Sequence, residues 1–108
     1  AALELLVKAG CDVNQAAKDG ATPAYAAAHE GQTVALELLI KAGCDVDQAD
    51  KEGVTPAFMA AQFGHTAALE LLVEAGCDMN KADKNGATPA YIAAQNGQTA
   101  VLGLLVEA

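Results

Sequence analysis

The residues of this 108-residue chain that could supply a nucleophile and its base are three cysteines and two histidines. Cys11, Cys44 and Cys77 stand 33 positions apart, and the histidines are His29 and His65. A Cys–His pair works only when thiol and imidazole lie within hydrogen-bond reach. A second chemistry is suggested by Asp45, Asp47, Asp50 and Glu52, which could offer oxygen ligands to calcium. The calcium loop of a helix–loop–helix site wants an acid or Asn at its fifth position, Gly at its sixth and Glu at its twelfth. Counted from Asp45 those positions hold Ala49, Asp50 and Pro56, so the pattern fails. The carboxylates are expected to form a solvated acidic edge. No phosphate-binding loop, zinc spacing or nucleophile motif occurs. The expectation is a chain with no catalytic residues, no metal and no cofactor, and not an enzyme.

The cysteine spacing is one part of a larger repeat. Residues 18–50 and 51–83 are identical at 20 of 33 positions. A third unit runs over 84–108, and a partial one over 1–17. Each full unit opens with a turn signal, as in Asp50-Lys-Glu-Gly53 and Asp83-Lys-Asn-Gly86, with Asp first and Gly fourth. Ala17 replaces the Asp in the first copy, so that turn is expected to be less firmly held. Thr22, Thr55 and Thr88 are then N-cap candidates, with Pro23, Pro56 and Pro89 at the first helical position, where no amide hydrogen is needed. The short first helix should stop at Gly31, Gly64 or Gly97. A second helix follows at once, Val34–Ala42 and its copies, with Leu36, Leu39 and Ile40 on one face. Two short helices with a tight link run antiparallel. One such pair cannot bury its apolar faces alone, so neighbours must stack into a solenoid.

This scaffold separates the candidate nucleophiles from their bases. The cysteines follow the second helix and the histidines sit near the link between helices. A nine-residue helix holds those ends roughly 13 Å apart. A disulfide framework is also unsupported, since the count is odd and stacked repeats set equivalent residues roughly 8–10 Å apart. The cysteines read as small buried hydrophobes in reduced form, which favours an intracellular, cytoplasmic setting. His65 matches Gln32 and Gln98, and a loop-bridging role suits both residue types. His29 reads as a solvated surface residue.

Composition narrows the class of partner. Six Lys and Arg against fourteen Asp and Glu give a formal charge of −8, which repels a phosphate backbone and makes nucleic acid an unsuitable partner. No apolar run approaches the roughly 20 residues that span a bilayer. The first residues, Ala1 to Val7, carry Glu4 and do not resemble a signal peptide. The helix Ala1–Lys8 lacks a first-helix partner and is expected to be the least protected part. Neither end shows the polar capping repeat of a solenoid. The chain is therefore expected to be an excised segment of a longer array, natural or consensus-like, or else to associate weakly end to end.

The motifs Gly-x-Thr-Pro, Ala-Ala-x-x-Gly, Leu-Leu and Gly-x-Asp-x-Asn or -Asp at this spacing resemble ankyrin repeats over essentially the whole chain. The resemblance implies an all-α array, residues 1–108, of stacked antiparallel helix pairs joined by β-turn hairpin loops. The family's Thr-Pro-Leu-His signature is altered. Ala24, Ala57 and Ala90 replace the Leu, and Tyr25, Phe58 and Tyr91 replace the His. Tyr could keep part of that histidine's bridging role and Phe58 could not, so an aromatic ladder held more by packing is expected.

The resemblance further implies a scaffold that binds another protein through its hairpin tips and the concave face of the first helices. Carried onto this chain, those positions are Lys18, Asp19, Ala21, His29 and Glu30 in the first repeat. They are Lys51, Glu52, Val54, Gln62 and Phe63 in the second, and Lys84, Asn85, Ala87, Gln95 and Asn96 in the third. Most of them vary between copies, whereas the Thr-Pro, Gly and Leu positions do not. Phe63 stands out, because its counterparts Glu30 and Asn96 are polar. It is read either as an exposed anchor or as packed sideways on a neighbouring first helix. The alternative to a binding module is a structural spacer or a self-assembling solenoid, and the assembly state is expected to be a monomer or a weak end-to-end associate.

Overall fold

The computed structural model describes residues 13–107. Cys11 and the expected weak helix Ala1–Lys8 lie outside them. The described residues form six helices and no strand: α1 (Pro23–Glu30), α2 (Thr33–Lys41), α3 (Pro56–Gln62), α4 (Thr66–Glu74), α5 (Pro89–Gln95) and α6 (Thr99–Glu107). The chain is all-α. The first helices α1, α3 and α5 pack side by side in one layer, α2, α4 and α6 form the second, and each first helix packs on the second helix of its own repeat.

The Thr-Pro pair starts each first helix as its chemistry demands. Thr22, Thr55 and Thr88 are extended and accept with their hydroxyls from the amides of Tyr25, Phe58 and Tyr91, each at 3.2 Å. Each such cap is worth about 1 kcal/mol. Beyond the first helices, Gly31, Gly64 and Gly97 take φ of +68° to +70°, the left-handed stop expected of them. Alanine governs the spacing within this layer: Ala24, Ala28, Ala57, Ala60, Ala61 and Ala93 are all buried. With only a methyl group between them, neighbouring first helices come close. The second layer supplies the bulk, because Leu36, Leu39, Leu69, Leu72 and Val101 are all at most 2 % exposed. Burying one such leucine contributes about 1.5–3 kcal/mol.

Hairpin turns precede α1, α3 and α5, and they are bonded to one another. Within each, a backbone amide closes the loop: Ala17 N to Ala21 O at 2.8 Å, Asp50 N to Val54 O at 2.9 Å and Asp83 N to Ala87 O at 2.8 Å. Asp50 and Asp83 each use one carboxylate oxygen to accept two amides, at residues 52 and 54 and at residues 85 and 87. The first turn, expected to be looser because Ala17 replaces the Asp, closes with the same backbone bonds. Asp19 supplies part of the missing cap by accepting from Ala21 N at 3.0 Å. Between hairpins, Lys51 N donates to Asp19 O at 3.0 Å and Lys84 N to Glu52 O at 2.9 Å.

The carboxylates read as a solvated acidic edge are structural. Asp45 and Asp78 cap the amides of Asp47 and Asn80, and Asp47 reaches across to the amide of Asp78 at 2.8 Å. Asn14 makes the equivalent bond to Asp45 N at 2.7 Å. Two lines of polar bonds, one through the hairpins and one through these loops, therefore tie each repeat to the next.

Candidate functional site

The hairpin tips and the first-helix face form one side of the array. Lys18, Asp19, Lys51, Glu52, Lys84 and Asn85 are all exposed along the hairpin row. Lys84 is ion-paired with Glu52 across two repeats, and that hydrogen bond holds its ammonium above the ordinary lysine range. Glu30, Gln95 and Asn96 are exposed on the helix side, Ala21, His29, Gln62 and Ala87 are half-buried, and Phe63 is 46 % exposed. Val54 breaks the pattern and corrects the expectation for that position. Its side chain is only 9 % exposed and belongs to the core, because the Asp50 carboxylate pulls its amide inward and the branched chain packs behind the turn. Ala21 and Ala87, the equivalents, are too small to show the same inward direction by sequence.

Phe63 satisfies both of its readings. It remains open to solvent on one face, and it packs edge-on against His29 of the preceding repeat, with centroids 4.8 Å apart and planes at 81°. On the other side it lies near His65, tilted by 30° at 6.4 Å. His29 is thus no free surface residue. Its ring is held between Phe63 and Glu30, whose Oε2 is 2.8 Å from Nδ1. His65 takes the bridging role expected of it, with Nε2 3.1 Å from the carbonyl oxygen of His29. Gln98 repeats the bond one step on, donating to Gln62 O at 3.2 Å.

The altered signature aromatics part company. Tyr25 is half-buried, and its phenol is pushed up to about 12 by burial and then by its hydrogen bond to Asp50, with the charges of Asp50 and Asp19 adding to it. Phe58 is buried at 6 %, and Tyr91 is 58 % exposed. Ring contacts among the described residues run through His29, Phe63 and His65 rather than along the expected Tyr25, Phe58 and Tyr91 ladder.

Between the first two repeats these side chains enclose an open apolar cleft of about 300 Å³, walled by Tyr25 and Phe63 and floored by Ala21, Ala26 and Met59. A second cleft of about 380 Å³, between Phe58 and the third hairpin, has Tyr91, Asn85 and Gln95 on its walls. Sequence reasoning missed Tyr25, Met59 and Tyr91 as residues that line these clefts. The signal for Met59 was present, since it stands where the other copies carry Ala26 and Ile92.

The family model for ankyrin repeats matches the chain in three copies, over residues 1–83 and 35–108. The chain belongs to the ankyrin-repeat family. Ankyrin repeats are in general protein–protein interaction modules, and they are typically non-catalytic. No curated protein matches the chain.

The side-chain chemistry of this face accords with the binding role general to ankyrin repeats. At the cleft rim half-buried His29 and exposed Glu30 are adjacent in the chain and paired. Cys44 and Cys77 are unpaired and half-buried on the loops that follow α2 and α4. Burial, with Asp47 and Asp78 adding to it, pushes the Cys77 thiol up to about 11, and burial likewise raises Cys44. Both stay as thiols, which are poor nucleophiles. Among the described residues no helix is long and apolar enough to cross a membrane.

Proposed function

We propose that this array is a non-catalytic module that holds a partner protein across the hairpin tips and the first-helix face. The chain acts as one continuous array over 1–108, and its contact surface comprises Lys18, Asp19, Ala21, His29, Glu30, Lys51, Glu52, Gln62, Phe63, Lys84, Asn85, Ala87, Gln95 and Asn96. The observation that carries this reading is the cleft beside Phe63. An aromatic side chain half open to solvent stands over an apolar hollow, on the face where the repeats differ most. Aromatic residues at the centre of a face, ringed by polar groups, are where binding energy concentrates. The unpaired Cys44 and Cys77 thiols support an intracellular setting.

A photo-crosslinking side chain placed in turn at Glu52, at Asn96 and, on the opposite face, at Glu70 tests the reading. A partner protein joined through positions 52 and 96 but not 70 is expected. Crosslinking only through position 70, or a single product corresponding to a second copy of this chain, would overturn it in favour of a different face or of self-assembly.

A further inference from the structure

The cleft between the first two repeats has an electrostatic character that narrows what can enter it. Its lining is mostly apolar, and the one acid on it is Glu30. Glu30 is exposed and uses Oε2 toward His29, leaving Oε1 for an outside donor. Tyr25, also on the lining, feels the negative charges of Asp50 and Asp19. The hairpin lysines Lys18 and Lys51 are not among the residues that line the cleft, Lys84 is engaged by Glu52, and the chain as a whole carries a formal charge of −8. At about 300 Å³ the hollow sits at the lower limit of ligand pockets, which span about 300–1,000 Å³. It therefore suits one large side chain rather than a whole small molecule.

Resting on the proposal that this face binds protein, we infer that the cleft takes an apolar side chain of a partner segment whose neighbouring residue is Arg or Lys. The apolar side chain sits between Tyr25 and Phe63 over Met59, where it displaces water from apolar surface. Met suits such a floor, because its unbranched thioether adapts to the shape of an inserted ring. The adjacent cation meets Glu30, whose charge disfavours a carboxylate in the same place. Complementarity of this kind sets specificity more than raw affinity. Among the described residues the Phe63 side chain belongs to the first pair of full repeats alone. One repeat on, Asn96 stands in place of Phe63, so the aromatic wall is not repeated there.

The chain has two methionines, Met59 in the cleft and Met79 in the loop after α4. A methyl-labelled Met spectrum therefore carries one reporter and one internal control. Two peptides serve as probes, acetyl-Ala-Trp-Arg-Ala-amide and acetyl-Ala-Trp-Glu-Ala-amide. The Arg peptide is expected to shift the Met59 signal and leave Met79 in place, with the Glu peptide binding at least about tenfold more weakly, the ratio that roughly 1.4 kcal/mol gives. Glu30→Lys should invert the order of the two peptides, and Phe63→Ala should weaken both. Equal shifts with both peptides, an order unchanged in Glu30→Lys, or a Met59 signal silent to both would overturn the inference. If Met59 is silent while crosslinks still form through positions 52 and 96, the binding face stands and only this occupant fails.

Discussion

His65 Nε2 lies 3.1 Å from the backbone carbonyl oxygen of His29, so the link between helices in one repeat is bonded to the link in the repeat before it. Gln98 makes the same bond to Gln62 at 3.2 Å. The geometry asks for an N–H donor of a certain reach, and imidazole and carboxamide both supply one. His65→Gln should therefore leave the urea midpoint within about 0.5 kcal/mol of the parent, whereas His65→Ala should cost about 1 kcal/mol for the lost bond. A His65→Gln variant as unstable as His65→Ala would show that the ring's packing near Phe63, and not the bond, is what matters there.

The same pair shows what was legible in the sequence. Equivalence of His65 with Gln32 and Gln98 was enough to assign a bridging role, because position-by-position comparison of repeats separates what the fold demands from what it tolerates. The Thr-Pro caps and leucine stripes were legible for that reason too. Val54 was not, because one methyl-bearing residue on a turn can point either way, and the direction depends on a carboxylate four residues back. Nor was the ring contact of Phe63 with His29. It joins residues 34 apart whose equivalents, Gln62 with Asn96, meet through a side-chain amide and a backbone carbonyl instead. Local pattern reveals which positions neighbour one another across repeats, but the contact made depends on both side chains at once.

Three glycines should respond to alanine in three ways. Gly53 has φ +80°, and a Cβ there would meet Lys84 N at 3.0 Å and the backbone of Asp83 at 3.1 Å. Gly86 has nearly the same conformation, φ +86°, with nothing within 4 Å. Gly86→Ala should cost about 1–2 kcal/mol for the left-handed conformation alone. Gly53→Ala should cost more than that, because it also pushes adjacent hairpins apart and strains the bond from Lys84 N to Glu52 O. Gly103 lies inside α6 at ordinary φ with open space around it, and Gly103→Ala should stabilise by up to about 1 kcal/mol. Denaturation midpoints of the three variants give the ranking, and equal losses at Gly53 and Gly86 would deny the close approach of the hairpins.

Alkali should weaken the fold in stages. The Cys77 thiol is pushed from 9.0 up to about 11, and the Tyr25 phenol from 10.0 up to about 12, chiefly by burial in both cases. Lys84, exposed and bonded to Glu52, is also raised. For each group the folded chain keeps a proton that the unfolded chain has already shed. The stability these groups contribute is therefore fully present below the unfolded values, and it falls as pH rises through the folded ones. The decline should begin near pH 9 and continue past 11, and Cys77→Ala should flatten its first part. A urea midpoint that stays constant from about pH 8 to about pH 11 would show that neither the thiol nor the phenol is protected.

The second layer carries a charge conflict that one substitution should relieve. On α2, Lys41 Nζ lies 3.6 Å from Glu37 Oε1, four residues earlier and in the favourable order of acid before base. On α4 the equivalent residues are Glu70 and Glu74, both exposed, and the last turn has no base. Like charges four apart on a helix repel by a few tenths of a kcal/mol, and a carboxylate in the last turn opposes the helix dipole. Glu74→Lys removes both penalties and recreates the pairing of the first repeat. It should stabilise by about 0.5–1 kcal/mol at low salt, and the gain should shrink as salt screens an exposed pair. Comparison with Glu74→Gln separates the terms, since Gln removes the repulsion without adding a pair. If Glu74→Lys is no more stable than the parent at low salt, the repulsion between Glu70 and Glu74 is not a net cost to the fold.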